Sequence, residues 1–155
     1  MRRTLLCLLL ATLAGTAGAQ TCTPYPETFA QGFYRSNYSF FNESPEQVQA
    51  QVAPSLLVLL RGERECVEHH GHCGLRYDPW LGAQDGSIAP PLRFERESQE
   101  GERAVVAMHY AGADGQPRTV RLKLRRVLVS GCWQLEDFVT PLGDPLSTLL
   151  KPAQQ

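Results

Sequence analysis

The chain has 155 residues, and its 15 lysines and arginines nearly balance 16 aspartates and glutamates, for a formal net charge of -1. That balance excludes the strongly basic footprint of a nucleic-acid binder, so no nucleic-acid partner is expected. The length suits one domain with a sizeable core.

The first residues read as a secretory leader. Arg2 and Arg3 give a positive start, residues 5–13 an apolar run, and Ala17-Gly18-Ala19 a small-residue cleavage pattern. Residues 1–19 are therefore expected to be a signal peptide, and residues 20–155 a single α+β domain. The apolar run is too short to span ~30 Å of hydrocarbon. Cys22 follows Ala19-Gln20-Thr21, which lacks the leucine-small-small pattern of lipoprotein processing. No stable membrane insertion is expected after cleavage, and the product is expected to be periplasmic or secreted.

Cleavage leaves Cys22, Cys66, Cys73 and Cys132. An even number behind a leader points to two disulfides. Three pairings are possible; Cys66–Cys73 with Cys22–Cys132 is favoured, because the first pair is close in sequence and leaves the second. In the chain-entropy model the two loops stabilise the fold by about 2.5 and about 5 kcal/mol.

Along the mature chain, Pro24 and Pro26 oppose helix, and a first helix is predicted over residues 27–38, with Phe29 and Phe33 on one face. Ser44-Pro45-Glu46-Gln47 has the order of a capping box and predicts a second helix carrying Val48 and Val52 inward. A third begins near Ser55. It is leucine-rich at first, and residues 61–65 are expected to be exposed. Residues 71–91 are irregular, and long aperiodic stretches are usually functional or disordered. Cys73 and Trp80 argue against disorder.

Strands are predicted over residues 92–97, 103–111, 118–129 and 132–139, with Asp114-Gly115 and Ser130-Gly131 as turns. In the third, Val120, Leu122, Leu124 and Leu128 point one way and Arg121, Lys123 and Arg125 the other. A two-residue turn at Ser130-Gly131 would set Leu128 opposite Trp133 and Arg125 opposite Glu136. A last short helix is expected with Asp144 as cap and Leu146, Leu149 and Leu150 inward. Helices first and strands second give the expected fold class: α+β, with N-terminal helices packed on a strongly curved antiparallel sheet of about four strands, cone-like, and a short C-terminal helix.

At this level the chain resembles the cone-shaped fold of nuclear transport factor two and its relatives. More narrowly, it is similar to an uncharacterised family of small bacterial exported proteins in that superfamily. The aromatic first helix (Phe29, Phe33, Tyr34), the leucine-rich 55–61 segment, Asp78-Pro79-Trp80-Leu81-Gly82-Ala83-Gln84-Asp85 and the hairpin ending Gly131-Cys132-Trp133 carry the resemblance. It covers about residues 27–150. It implies a pocket between helices and sheet but no activity, because the superfamily hosts enzymes, ligand binders, partner-binding modules and immunity-like proteins.

Three constellations bear chemistry. Cys66, His69, His70, His72 and Cys73 could hold a soft metal through thiolates and imidazoles; a structural disulfide with solvated histidines is the preferred reading. Trp80, with Asp78, Gln84 and Asp85 and with Tyr34 beside them, could line the mouth of the cone and hold a polar ligand. The preferred reading is structural: Asp78-Pro79 opens a turn, Trp80 fills the core and Asp85 caps a turn. His109 could act as a general base with Asp85 or Asp137 if it enters the pocket. The Arg121, Lys123, Arg125 stripe is expected to be neutralised by Glu95, Glu97 and Glu136. No Gly-rich phosphate loop, nucleophile elbow or zinc-protease helix occurs, and no cofactor is expected. The expected role is therefore a binding module for a protein or small-molecule ligand, possible immunity and inhibitor proteins included. Metal binding through the histidine loop and a small enzyme built on His109 are the alternatives.

Overall fold

Proline opens three of the helices: α1 (Pro26–Ser36), α2 (Pro45–Val48) and α3 (Pro54–His70). In the first turn its missing N–H has no helical partner to lose. The computed structural model describes residues 22–71 and 73–151, so the predicted leader lies outside the described residues.

Helix α1 turns Ala30 and Phe33 into the core. It stops short of residue 38, because Asn37 leaves the helical region and its side chain donates to Gln51 Oε1 at 3.0 Å. Helix α2 starts as its sequence predicts, with Gln47 Oε1 accepting from the Ser44 N–H at 3.1 Å, but lasts only four residues. Val52 is buried, as expected, yet it lies in extended chain rather than in the helix. It forms a parallel bridge to Leu135, whose N–H donates to the Gln51 carbonyl at 2.8 Å. Helix α3 buries Leu56 and Leu60 and ends at Gly71. That residue's φ of 79° is the left-handed conformation of a glycine cap.

Strands β1 (Ile88–Glu100), β2 (Arg103–Gly112), β3 (Pro117–Arg126) and β4 (Trp133–Val139) form an antiparallel meander in sequence order. The first and last strands do not meet, so the sheet is curled rather than closed. Together with the helices and the short α4 (Leu146–Leu149), this is the predicted α+β architecture. Strand β1 begins earlier than expected, and its register slips between Ala89 and Arg93. Pro90 and Pro91 occupy that slip, where no ladder N–H is required.

One sheet face carries Val106, Met108, Tyr110, Val120, Leu122, Leu124, Leu135 and Phe138 into the core with the helices. The other is polar. There Arg121 pairs with Glu97 at 2.8 Å, Arg103 with Glu136 at 3.2 Å and Lys123 with Asp137 at 3.8 Å. Such exposed pairs are each worth about 0–1 kcal/mol. The expected neutralisation of the cationic stripe is thus incomplete, since Arg125 has no acidic partner among the described residues.

Three local expectations are corrected. The β3–β4 turn is longer than two residues: Arg126, not Leu128, lies opposite Trp133, and Arg125 faces Gln134. The Val127 N–H donates to the Cys132 carbonyl and the Gly131 N–H to the Val127 carbonyl, closing a wider loop. Leu128 and Val129 are left 81% and 99% exposed at its tip. Second, Glu63 is buried rather than exposed. Third, Asp144 does not cap α4, because extended Pro145 takes the cap position. Asp137 serves from β4 instead, accepting from the Ser147 N–H at 3.0 Å and its hydroxyl at 2.8 Å.

The cysteines pair as expected, Cys22 with Cys132 and Cys66 with Cys73. The first bridge brings the N-terminal lead-in to the hairpin. There Trp133 Nε1 also donates to the Pro24 carbonyl at 3.1 Å. Among the described residues, no helix is long and apolar enough to cross a membrane.

Candidate functional site

The irregular stretch after α3 is held at almost every step. The Cys66–Cys73 bridge closes the helix end. Next, the buried Glu63 carboxylate accepts the N–H groups of Gly74 at 3.0 Å and Leu75 at 2.8 Å. Two charge-assisted backbone bonds account for a carboxylate at a buried position. A Cβ on Gly74 would collide with the Leu149 carbonyl oxygen and lie 3.1 Å from Glu63 Oε2, so the position takes glycine alone unless the backbone shifts.

Asp78 then builds a turn. Its Oδ1 accepts the Trp80 N–H at 2.8 Å, and its N–H donates to the Ala83 carbonyl at 3.0 Å. This is the side-chain turn chemistry that aspartate offers. Its Oδ2 accepts from the Tyr38 hydroxyl at 2.7 Å. The turn drives Trp80 into the space between helices and sheet, where it is fully buried. Its ring lies 4.6 Å from Phe138 and 5.1 Å from Tyr34, centroid to centroid, and stacks on Tyr38 at 5.9 Å. The indole N–H donates to the Tyr38 carbonyl at 2.8 Å, and the Tyr110 hydroxyl donates to the Trp80 carbonyl. Every polar group of the residue is thereby satisfied, as burial demands.

This packing disperses the residues proposed for the mouth of a cone. Tyr34 and Trp80 belong to the aromatic filling. Asp78 and the exposed Gln84 border an open groove of about 340 Å³, shared with Phe41, Asn42, Leu75 and Tyr77. Asp85 borders a separate cleft of about 220 Å³ with Arg118 and Asp114. His109 sits between the buried Met108 and Tyr110 and so faces the outer side of the sheet. Its Nδ1 is 2.9 Å from Thr119 Oγ1, and its Nε2 is 3.8 Å from Glu95. Neither Asp85 nor Asp137 is among these contacts.

The Cys66–Cys73 bridge engages both sulfurs that a metal site there would use, while His69 and His70 are exposed on the last turn of α3. His72 lies outside the described residues. Among the described residues, no three histidine, cysteine, aspartate or glutamate side chains are grouped to hold a metal.

The groove beside Asp78 continues into a second of about 250 Å³, bordered by Phe41, Asn42, Glu63, Arg64, Val67 and Leu75. Phe41, Asn42 and Leu75 are common to both. Arg64 fixes the far wall by donating to the Asn42 carbonyl at 2.8 Å. The continuous groove therefore has an apolar floor of Phe41 and Leu75 and polar sides. Arg64 and Glu63 were not foreseen as part of it. Their i, i+1 spacing on an apparently exposed helix segment carries no sequence signal for a groove.

The tyrosines around the turn give it a pH signature. Burial pushes the Tyr110 phenol up to about 12, with Asp78 adding to the rise and Arg118 opposing it. Burial and then the bond to Asp78 raise Tyr38 far above the ordinary tyrosine value of 10.0. The unfolded chain loses these protons first as pH rises, so it binds fewer protons than the native state there. The stabilisation is complete below about pH 10 and is lost progressively toward about pH 12. Urea midpoints measured across that window should fall steeply, and Tyr110→Phe should flatten the fall.

No protein-family model matches the chain, and no curated protein does.

Proposed function

We propose that the protein is an exported, non-catalytic binding module of the cone-fold superfamily, periplasmic or secreted, which holds a segment of a protein partner in the groove between α3 and residues 74–84. The observation that carries this reading is the fixing of the groove's irregular wall by a disulfide, a buried carboxylate and a buried tryptophan. Pre-organisation of that kind lowers the ordering cost of binding.

A protein segment is favoured over a small molecule because Trp80 and its aromatic neighbours occupy the interior, where an enclosed small-molecule site would lie. The groove beside α3 is open, with Phe41 and Leu75 as its apolar part. An inhibitor or immunity protein, with an enzyme or toxin as partner, is one form of this function. The two disulfides fit an oxidising compartment.

Photo-crosslinking in the native cell envelope tests the reading. A crosslinker at Val67 or Gln84 is expected to capture one protein species, and one at the exposed Arg93 in β1 is not. Equal capture from all three positions, or none from the groove, would refute it.

A further inference from the structure

The end of the sheet opposite the open β1 start carries a patch with the composition of a self-complementary interface. The β1–β2 turn and the β3–β4 hairpin enclose a shallow concavity of about 530 Å³, bordered by Glu100, Glu102, Arg103, Arg125, Arg126 and Leu128, with Glu136. Leu128 and Val129 project from its rim, the two most exposed large apolar side chains of the described residues. The hairpin that bears them is stiff. Arg126 Nε donates to the Gly131 carbonyl at 3.0 Å, its guanidinium lies 5.9 Å from the Trp133 ring centroid, and Cys132 is bonded to Cys22.

The charges in the patch are unequally matched within one chain. Arg103 and Arg125 are direct cross-strand partners in the sheet register, a like-charge pair. Glu136 engages Arg103, which leaves Arg125 without an acid. The carboxylates of Glu100 and Glu102 have no cationic partner among the described residues. One surface thus offers an unpaired cation, two unpaired anions, an apolar projection and a concavity. A two-fold contact needs a patch complementary to itself; homodimer interfaces are more apolar than the rest of the surface, and arginine is enriched in them.

We propose that this end of the sheet is a homodimer interface, in which the Leu128–Val129 tip of each copy enters the concavity of the other and Arg125 of each meets Glu100 or Glu102 of the other. The contact lies on a different surface from the α3 groove and stands or falls separately from it.

Sedimentation velocity of the mature, oxidised protein over a concentration series tests it. A monomer–dimer equilibrium is expected, weakened by added salt. Arg125→Glu and Leu128→Asp should each raise the dissociation constant by about ten-fold or more. Combining Arg125→Glu with Glu100→Arg and Glu102→Arg should recover much of the loss. These side chains are at the surface, so far-UV circular dichroism should be unchanged. In the unaltered protein, amide exchange at residues 100–103 and 127–131 should slow as concentration rises. A monomer at every concentration, or a dimer indifferent to the substitutions with no protection at these turns, would overturn the proposal.

Discussion

Trp80→Ala is expected to lower stability by about 3–5 kcal/mol, the range for deleting a large aromatic from a packed core, and Tm by roughly 10–20 °C. The residue is fully buried against Tyr34, Tyr38, Phe40 and Phe138, so the vacated space has walls from both helix and sheet sides and cannot collapse from one alone. The substitution also strips the Tyr38 carbonyl of its indole donor. Trp80→Phe separates the two effects. It keeps most of the ring volume and should cost about 1–3 kcal/mol, chiefly through the unsatisfied carbonyl. Urea unfolding of both variants provides the check. A Trp80→Ala protein within about 1 kcal/mol of the parent would mean that the tryptophan is a surface lid, not a core plug.

The same residue shows what the sequence could and could not convey. Alternation along residues 118–129 and the Ser44-Pro45-Glu46-Gln47 box are local signals, and a strand and a helix start form there, although the strand stops at Arg126, short of Leu128. Pro26, read as opposing helix, instead opens α1. The cysteine pairing, which rests on number and proximity, is as expected. Asp78-Pro79-Trp80 was legible as a turn whose tryptophan fills the core, but its hydrogen-bond partners were not, because Tyr38 and Tyr110 lie 42 and 30 residues away. Glu63 reads as solvated because nothing within α3 announces the Gly74 and Leu75 N–H groups that it receives. Ser130-Gly131 reads as a tight turn, yet the hairpin widens, since pairing Arg126 with Trp133 and Leu124 with Leu135 sets the register from the core outward. The groove was half visible. Asp78 and Gln84 were named from sequence, whereas its floor of Phe41 and Leu75 forms only when separate segments meet.

Removing the two disulfides should have different consequences, and the difference follows from where each lies. Cys22–Cys132 closes a separation of 110 residues, and Cys66–Cys73 one of seven. On chain entropy, Cys22→Ser/Cys132→Ser should cost about 5 kcal/mol and Cys66→Ser/Cys73→Ser about 2.5 kcal/mol, each less any strain released. The long bridge joins the lead-in to the last hairpin, so its loss should lower the global unfolding midpoint and expose Trp133, whose indole bond to the Pro24 carbonyl depends on the same docking. The short bridge has a local substitute, because Glu63 still binds the two N–H groups just beyond it. Its loss should appear as faster amide exchange at residues 71–77 while the sheet stays protected. If instead the short bridge proved the more costly to remove, residues 71–77 would have to unfold together with the sheet. The groove wall would then be part of the cooperative core and not a separately stabilised segment.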